Sequence, residues 1–360
     1  MGTARFLSTA LLALLCGTAA PVHATPHYTA TVVGEGIYGV RMNNHGQVVG
    51  FTYPQGRDDQ FFVASSGKLG YLAPGTGMID INDAGVMVYN GALHYPDGSV
   101  ARLGPHLGTH GLNIHGEVAS RIEDVRKPGA RRPTDYATLL RPDGSVSLLG
   151  WDDYLSFGWD VNDTGMVVGS TASMYGSSKQ RPARFVGREV MLLDTGGRNG
   201  GHARVVNNAG YAAGEAGGRA ALWTPEGRLI DLGTMLIDKF GEQMGPDMSS
   251  VAYGINSHGE VVGVFGGYMG FLYSGGEVYD LPGISDLDAW GMDINDHHQI
   301  LAQTLVGVSY ILNPGGPAVA QPVPEPAPYA MFPAGLAAIA MLGRRKGRRD
   351  RHGPGIGEPL

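Results

Sequence analysis

One phrase recurs seven times along this 360-residue chain: an apolar residue, Asn-x-x-Gly (Asn-x-x-His in the last copy), then a largely apolar run. The copies are RMNNHGQVVG, DINDAGVMVY, GLNIHGEVAS, DVNDTGMVVG, VVNNAGYAAG, GINSHGEVVG and DINDHHQILA, with their turn asparagines at Asn43, Asn82, Asn113, Asn162, Asn207, Asn256 and Asn295. The intervals of 39, 31, 49, 45, 49 and 39 residues average 42. A period of this size built from short strands is that of a four-stranded propeller blade.

A second phrase alternates with the first: FFVASSGKLGYL, ALHYPDGSVARLG, ATLLRPDGSVSLLG, ARFVGREVMLL, ALWTPEGRLIDLG and FLYSGGEVYDL. Each reads as two apolar strands around a polar turn, so one unit holds four strands, a and b from this phrase, c and d on either side of the Asn turn. Asn bonds its own backbone and tolerates positive φ, and Gly supplies the left-handed residue that closes a short loop. Runs of four or five Val, Ile, Leu and Tyr are too short for a helical repeat and fit buried sheet.

The repeat region opens on an orphan b strand, 27–33, and ends on an orphan a strand, 309–312. Pairing the two completes one more a-b pair and leaves no free edge. The expected fold is therefore all-β: a seven-bladed β-propeller of four-stranded antiparallel blades over 25–313, closed by its N- and C-terminal strands.

The ends are different in kind. Arg5 precedes the apolar run FLSTALLALLCG, and Val22-His23-Ala24 offers small residues for cleavage, so 1–24 reads as a secretory signal helix. Cys16 lies inside that run without the small residue before it that a lipoprotein needs. Cleavage after Ala24 leaves no cysteine, which excludes disulfides, thiolate metal sites and a Cys nucleophile. At the other end come a Pro-rich linker (314–326), an apolar transmembrane segment (327–343) and a basic tail (344–360). Arg344, Arg345, Lys346, Arg348 and Arg349 hold that end in the cytoplasm, which places the repeats outside the membrane.

Val323, Pro324, Glu325 and Pro326, the apolar run and the Arg-rich cluster together resemble the PEP-CTERM sorting signal of Gram-negative bacteria. That resemblance implies a partner, the membrane-embedded cysteine peptidase exosortase, removal of the tail, and delivery to the cell surface or extracellular polymer matrix. The chain departs from the pattern in the DRHGPGIGEPL that follows the basic cluster. ALWTPEGRLIDLG and YGINSHGEVVG are in turn similar to the HAF family of extracellular repeats, across most of 28–312. The HAF resemblance implies export and a propeller; it brings no catalytic residue.

In an antiparallel meander the a-b and c-d turns leave on one side and the b-c and d-a connections on the other. The tight turns are a-b and c-d, so the long stretches 120–135, 150–160, 233–250 and 282–290 are expected on the opposite face, where a ligand would bind. Two of them mix aromatics with carboxylates: Trp151, Asp152, Asp153 and Tyr154 in one, Asp286 and Asp288 in the other. Flat rings stack on sugar C–H faces and carboxylates accept hydroxyl hydrogens, a mix suited to polysaccharide. Trp159 and Trp290, just ahead of strand c, read as plugs between blades.

Asp152, Asp153, Asp286 and Asp288 also supply the residue type for glycoside hydrolysis, without any spacing that marks a pair. The Asn-Asp turns at 82–83, 162–163 and 295–296 offer too few oxygens each for calcium, and turn chemistry accounts for every Asn. His45, His115, His258, His297 and His298 sit on separate hairpins and are expected to be solvated imidazoles, giving no metal site and no cofactor. GEGIYG (34–39) has no helix after it to make a dinucleotide fingerprint. Without its two ends the chain keeps 19 Lys and Arg against 30 Asp and Glu, near −11, which disfavours nucleic acid as a partner. The reading is a non-enzymatic binding or scaffolding module associated with extracellular polysaccharide, with a hydrolase and a ligand-free structural protein as the alternatives.

Overall fold

Each copy of the repeated phrase closes a hairpin between the first two strands of a four-stranded antiparallel unit. The computed structural model describes residues 26–315 apart from 53–59, 76, 105–107, 125–133, 151–153, 174–178, 246, 282–283 and 285–287. The expected signal helix, PEP motif, transmembrane segment and basic tail lie outside the described residues. Among those described, no helix is long and apolar enough to cross a membrane.

After β1 (Tyr28–Glu35), the first unit holds β2 (Ile37–Met42), β3 (Val48–Thr52), β4 (Gln60–Ser65) and β5 (Lys68–Pro74), paired in that order. The second has β6 (Asp80–Ile81), β7 (Met87–Tyr89), β8 (Ala92–His94) and β9 (Val100–Arg102), and the third β10 (Thr109–Leu112), β11 (Val118–Asp124), β12 (Thr134–Leu140) and β13 (Val146–Leu148). In the fourth are β14 (Tyr154–Val161), β15 (Val167–Ser173), β16 (Arg181–Val186) and β17 (Glu189–Leu192). The fifth has β18 (Gly201–Val206), β19 (Ala212–Ala216), β20 (Arg219–Trp223) and β21 (Leu229–Ile230), followed by α1 (Leu232–Met244). Then come β22 (Ser250–Ile255), β23 (Val261–Phe265), β24 (Met269–Ser274) and β25 (Glu277–Asp280), and finally β26 (Ala289–Ile294), β27 (Ile300–Thr304) and β28 (Val308–Pro314). A single parallel pair, Met269 with Ala289, joins these last two units into one eight-stranded sheet that includes β1.

Strand c is innermost and strand b outermost. The two orphans meet as expected: β28 pairs antiparallel with β1, from Tyr28 opposite Pro314 to Glu35 opposite Val308. Second strands such as β23 are buried throughout, whereas outer strands such as β5 and β17 are largely exposed. The core therefore lies between neighbouring units, and the large residue of each a strand fills it: Phe62, Phe185, Trp223 and Phe271 are all fully buried. Trp223 also donates its indole N–H to Asp194 O at 2.6 Å, so its one polar side-chain atom is satisfied.

The turn glycines Gly46, Gly85, Gly116, Gly165, Gly210 and Gly259 all have positive φ, and His298 takes the same conformation in the seventh copy at φ +60°. A Cβ at Gly165 would meet nothing closer than 3.5 Å, so only the backbone demands glycine there. Gly165→Val is expected to cost about 1–2 kcal/mol, read as a lowered melting temperature; an unchanged melt would mean the hairpin does not need the left-handed residue. The glycine that ends VVG has another cause. Strand c is bulged in these units, and a Cβ on Gly50, Gly169, Gly214 or Gly263 would overlap the carbonyl oxygen of Tyr38, Phe157, His202 or Val251 opposite it.

Two expectations about loops are corrected. The stretch 233–250 is mostly α1, capped by Asp231, whose carboxylate accepts from Thr234 N at 3.0 Å. Leu232 and Leu236 are buried against β20 and the sixth unit's strands, and tertiary packing outweighs the low propensity of Gly233 and Gly241. Gly233 is in fact required, because a Cβ there would press on Arg219 and the Ala220 amide beneath the helix. In 150–160, strand β14 begins at Tyr154, and Trp159 sits within it rather than ahead of it.

Candidate functional site at the axial channel

The innermost strands converge on the axis, and their turn asparagines form a closed ring. Each Asn Oδ1 clamps its own hairpin; in Asn162 it accepts from Thr164 N and Met166 N, both at 3.1 Å. Each Nδ2 donates to the carbonyl of the next turn asparagine, from Asn43 to Asn82 O (3.0 Å) through to Asn256 with Asn295 O (3.2 Å). The ring closes when Asn295 donates to Asn43 O at 3.2 Å. Turn chemistry thus explains only half of each asparagine; the amide nitrogen ties the units together. The Asn-Asp pairs considered for calcium act similarly, since Asp83 accepts from Asn44 N and Asp296 from Ser257 N, both at 2.8 Å. A cavity of about 250 Å³ lies at this mouth, on the tight-turn face, but its asparagines and aspartates are bonded to one another.

Two residues before the turn, three units carry aspartate. Asp80 accepts from Leu112 N (2.8 Å), Asp160 from Val206 N (2.8 Å) and Asp293 from Met42 N (2.9 Å), each bracing the next inner strand. Arg41 occupies the equivalent place in the first unit, 3.9 Å from Asp80 and close enough to act on the other two. It also donates to Tyr253 O of the sixth unit at 3.3 Å. Burial pushes the Asp80 carboxyl up to about 7 and Asp160 up to about 6, and raises Asp293 as well, with Arg41 opposing the shift in all three.

Beyond this neck, towards the face of the b-c and d-a connections, the channel is aromatic and basic. A bulge interrupts strand c at the third residue before the turn, where Trp159, Arg204 and Tyr253 are the extra residues. His110 lies 4.7 Å from the Trp159 ring, Arg204 stands over Trp159 (5.6 Å) and over Tyr253 (5.7 Å), and Tyr253 stacks on Trp290 at 6.3 Å. One row of side chains thus runs across five consecutive units. Three of its polar atoms, His110 Nδ1, Trp159 Nε1 and Arg204 Nε, are buried with no hydrogen-bond partner among the described residues. Trp159 and Arg204 can only donate. Burial, with Arg121 and Arg41 in reach, lowers the His110 imidazole to about 4, so it is neutral at physiological pH.

A Ser-His-Glu set adjoins this row: Ser170 Oγ is 3.2 Å from His202 Nδ1, and His202 Nε2 is 4.0 Å from Glu215. It does not have the form of a catalytic triad. Ser170 is wholly buried, the His-Glu gap exceeds a hydrogen bond, and Glu215 is shared with Arg204 at 3.4 Å.

Of the residues selected in the sequence, Trp151, Asp152, Asp153 and Asp286 lie outside the described residues. Tyr154 opens β14, the strand that carries Trp159, and Asp288 is exposed immediately before β26. Trp290 does link units, donating to Gly267 O at 2.8 Å; Trp159 does more than plug, because its N–H has no acceptor among the described residues. Of the histidines expected to be solvated, His45, His115, His258 and His297 are exposed, but His298 needs correction: it lies 2.6 Å from Glu260 and its ring contacts that of His258, at 4.6 Å, from the neighbouring hairpin. Among the described residues no group of three or more His, Cys, Asp or Glu is placed to hold a metal ion. Sequence reasoning missed His110, Arg204 and Tyr253, whose only signal was their common place three residues before a turn asparagine.

No family model matches this chain, and no curated protein does. Among solved structures, a catalytically inactive virginiamycin B lyase from Staphylococcus aureus with quinupristin aligns over 80% of this chain and 99% of its own, at 11% identity and a TM-score of 0.54. YCF48 bound to D1 peptide aligns over 82% and 100%, at 11% identity and a TM-score of 0.49. The β-propeller domain of the Trilobed protease from Pyrococcus furiosus covers 77% of this chain, with 79% of its own, at 10% identity and a TM-score of 0.41. The fold is a β-propeller, and at such identity the likeness extends to the fold alone.

Proposed function

We propose that this chain is an exported seven-bladed propeller that binds polysaccharide at the cell surface or in the extracellular matrix, through the aromatic mouth of its axial channel. The carrying observation is the row His110, Trp159, Arg204, Tyr253 and Trp290, which offers flat ring faces together with buried hydrogen-bond donors that lack acceptors among the described residues. Sugars present C–H faces to stack on rings and hydroxyl oxygens to accept from indole and guanidinium N–H groups. An unmet buried donor costs about 1–3 kcal/mol, which a hydroxyl acceptor would recover on binding. Trp151 and Tyr154, selected from the sequence, are assigned to the same ligand in this reading. The signal at 1–24 and the PEP-CTERM-like tail supply export and sorting, with exosortase as the processing partner.

A panel of neutral and acidic glycans tests this by affinity electrophoresis. Retention by at least one neutral polymer is expected, with a loss of about tenfold or more in Trp159→Ala, the scale of one stacked ring with its hydrogen bond. Equal retention of Trp159→Ala and the parent protein would remove the channel as the site. Release of reducing ends that stops in Asp152→Asn or Asp153→Asn would replace binding by hydrolysis.

A further inference from the structure

The chain as a whole carries a formal charge of −7, yet one cleft on the b-c and d-a face is cationic. It encloses about 480 Å³ between the end of the β15–β16 connection and the glycine-rich turn at 195–200, and Lys179, Arg181 and Arg198 face it. Arg198 is fixed in place. Its Nη2 bonds to Asp231 and to Thr234 Oγ1 at the start of α1, and its stem lies where a Cβ on Gly217 would be. Among the described residues that guanidinium makes no other bond, so Nε and Nη1 keep hydrogens to donate. Lys179 and Arg181 are exposed and have no carboxylate in ion-pair range among the described residues. Three cations face the cleft against Asp231, and Asp194 at the start of the turn holds the Gly196 amide, so the charge there stays net positive. Gly196 and Gly197, both at positive φ, turn the backbone beside it, and the amides of Gly197 and Asn199 have no acceptor among the described residues.

A chain of side-chain contacts links the cleft to the channel. Ser170 Oγ lies 3.3 Å from Gln180 Oε1, between Lys179 and Arg181 in sequence, and 3.2 Å from His202 Nδ1, whose ring meets Trp159 edge-on. Gly200 at the cleft and His202 at the channel are two residues apart on the chain.

We propose that this cleft receives the carboxylate of a uronate unit in an acidic polysaccharide, whose neighbouring sugars lie along the channel mouth. The assignment rests on the polysaccharide reading above and narrows it to a polymer class. Arg198 can still donate singly from Nη1 and from Nε to carboxylate oxygens, while Lys179 and Arg181 contribute charge without a competing carboxylate among the described residues. An anion on the polymer would be drawn to this patch against a negative background.

Polygalacturonate, dextran sulfate and a neutral β-glucan, each titrated against the whole protein, separate the possibilities. Polygalacturonate is expected to bind about tenfold or more tighter than β-glucan at low salt, the scale of a charge-assisted hydrogen bond, with the preference fading as salt rises. Lys179→Ala/Arg181→Ala should erase that preference and leave both β-glucan binding and the melting temperature unchanged. Equal affinity for the two polymers, or an undiminished preference in the double variant, overturns the assignment. Tighter binding of dextran sulfate than of polygalacturonate overturns it in favour of sulfate esters. If polygalacturonate binding needs Lys179 and Arg181 while no glycan depends on Trp159, the cleft stands and the channel reading falls; the reverse pattern leaves the channel and removes the cleft.

Discussion

Asn162→Ala should destabilise the domain by roughly 2–4 kcal/mol, because one small side chain holds two kinds of buried hydrogen bond at once. Its Oδ1 accepts from two backbone amides of its own turn, and its Nδ2 reaches Asn207 O in the next unit at 3.2 Å. Only 3% of the residue is exposed, so water cannot replace either set. Asn162→Asp separates the two contributions. The carboxylate keeps the turn clamp but has no hydrogen to give, and it sets a negative oxygen against the Asn207 carbonyl. Thermal or urea melts should therefore place Asn162→Asp well below the parent protein, near Asn162→Ala. A stability for Asn162→Asp close to the parent would mean that the hairpin clamp alone matters and the ring contributes nothing.

Replacing Arg41 by Met should cost about 3–5 kcal/mol at pH 8, the scale for removing one partner of a buried charge set. Asp80, Asp160 and Asp293 would lose the one cation that opposes the upward shift of all three. The sign with pH follows from linkage. In the parent protein the folded Asp80 carboxyl titrates near 7 and Asp160 near 6, above the ordinary aspartate value of 3.8 that applies to the unfolded chain. The folded state thus binds more protons between pH 4 and 7, and stability falls as pH rises through that window. Without Arg41 these carboxyls move further up and the decline extends to higher pH. The penalty of Arg41→Met should accordingly be small at pH 5 and large at pH 8, as melts across that range would show. A loss of equal size at both pH values would assign Arg41's contribution to packing and to its bond with Tyr253 O.

The repeat was legible because its turns are local. An Asn with a left-handed residue three positions on fixes a hairpin from within six or seven residues, and the apolar runs beside it fix the strands. The pairing of β28 with β1 followed from counting strands, since a missing a strand at one end matched a missing b strand at the other. Helix α1 escaped because its sequence, with Gly233 and Gly241, is a poor helix on its own. Leu232 and Leu236 form it by packing against Phe265 and Phe271, residues that approach only after the units have assembled.

The channel was illegible for a related reason. His110, Trp159, Arg204 and Tyr253 are 45 to 49 residues apart in sequence, and nothing local distinguishes them from other strand residues. Each turns towards the axis because a bulge three residues before the turn re-aims one side chain per unit. The carboxylates chosen in the sequence were those of long connections; the ones that carry the electrostatics, the buried Asp80 and the half-buried Asp160 and Asp293, lie within inner strands or at their ends. Their raised titration comes from burial, which no reading of neighbours along the chain supplies.

By itself, then, the sequence determined the strands, the turns, their order and the pairing of the two ends, because each of these depends on contacts a few residues long or on a simple count. Only the tertiary structure decided that Asn Nδ2 groups link unit to unit, that Arg41 stands among three aspartates, and that rings and unpaired donors line one end of the channel. Those features arise where residues roughly 30 to 250 positions apart are brought within hydrogen-bond or charge distance, and closure of the ring creates that proximity.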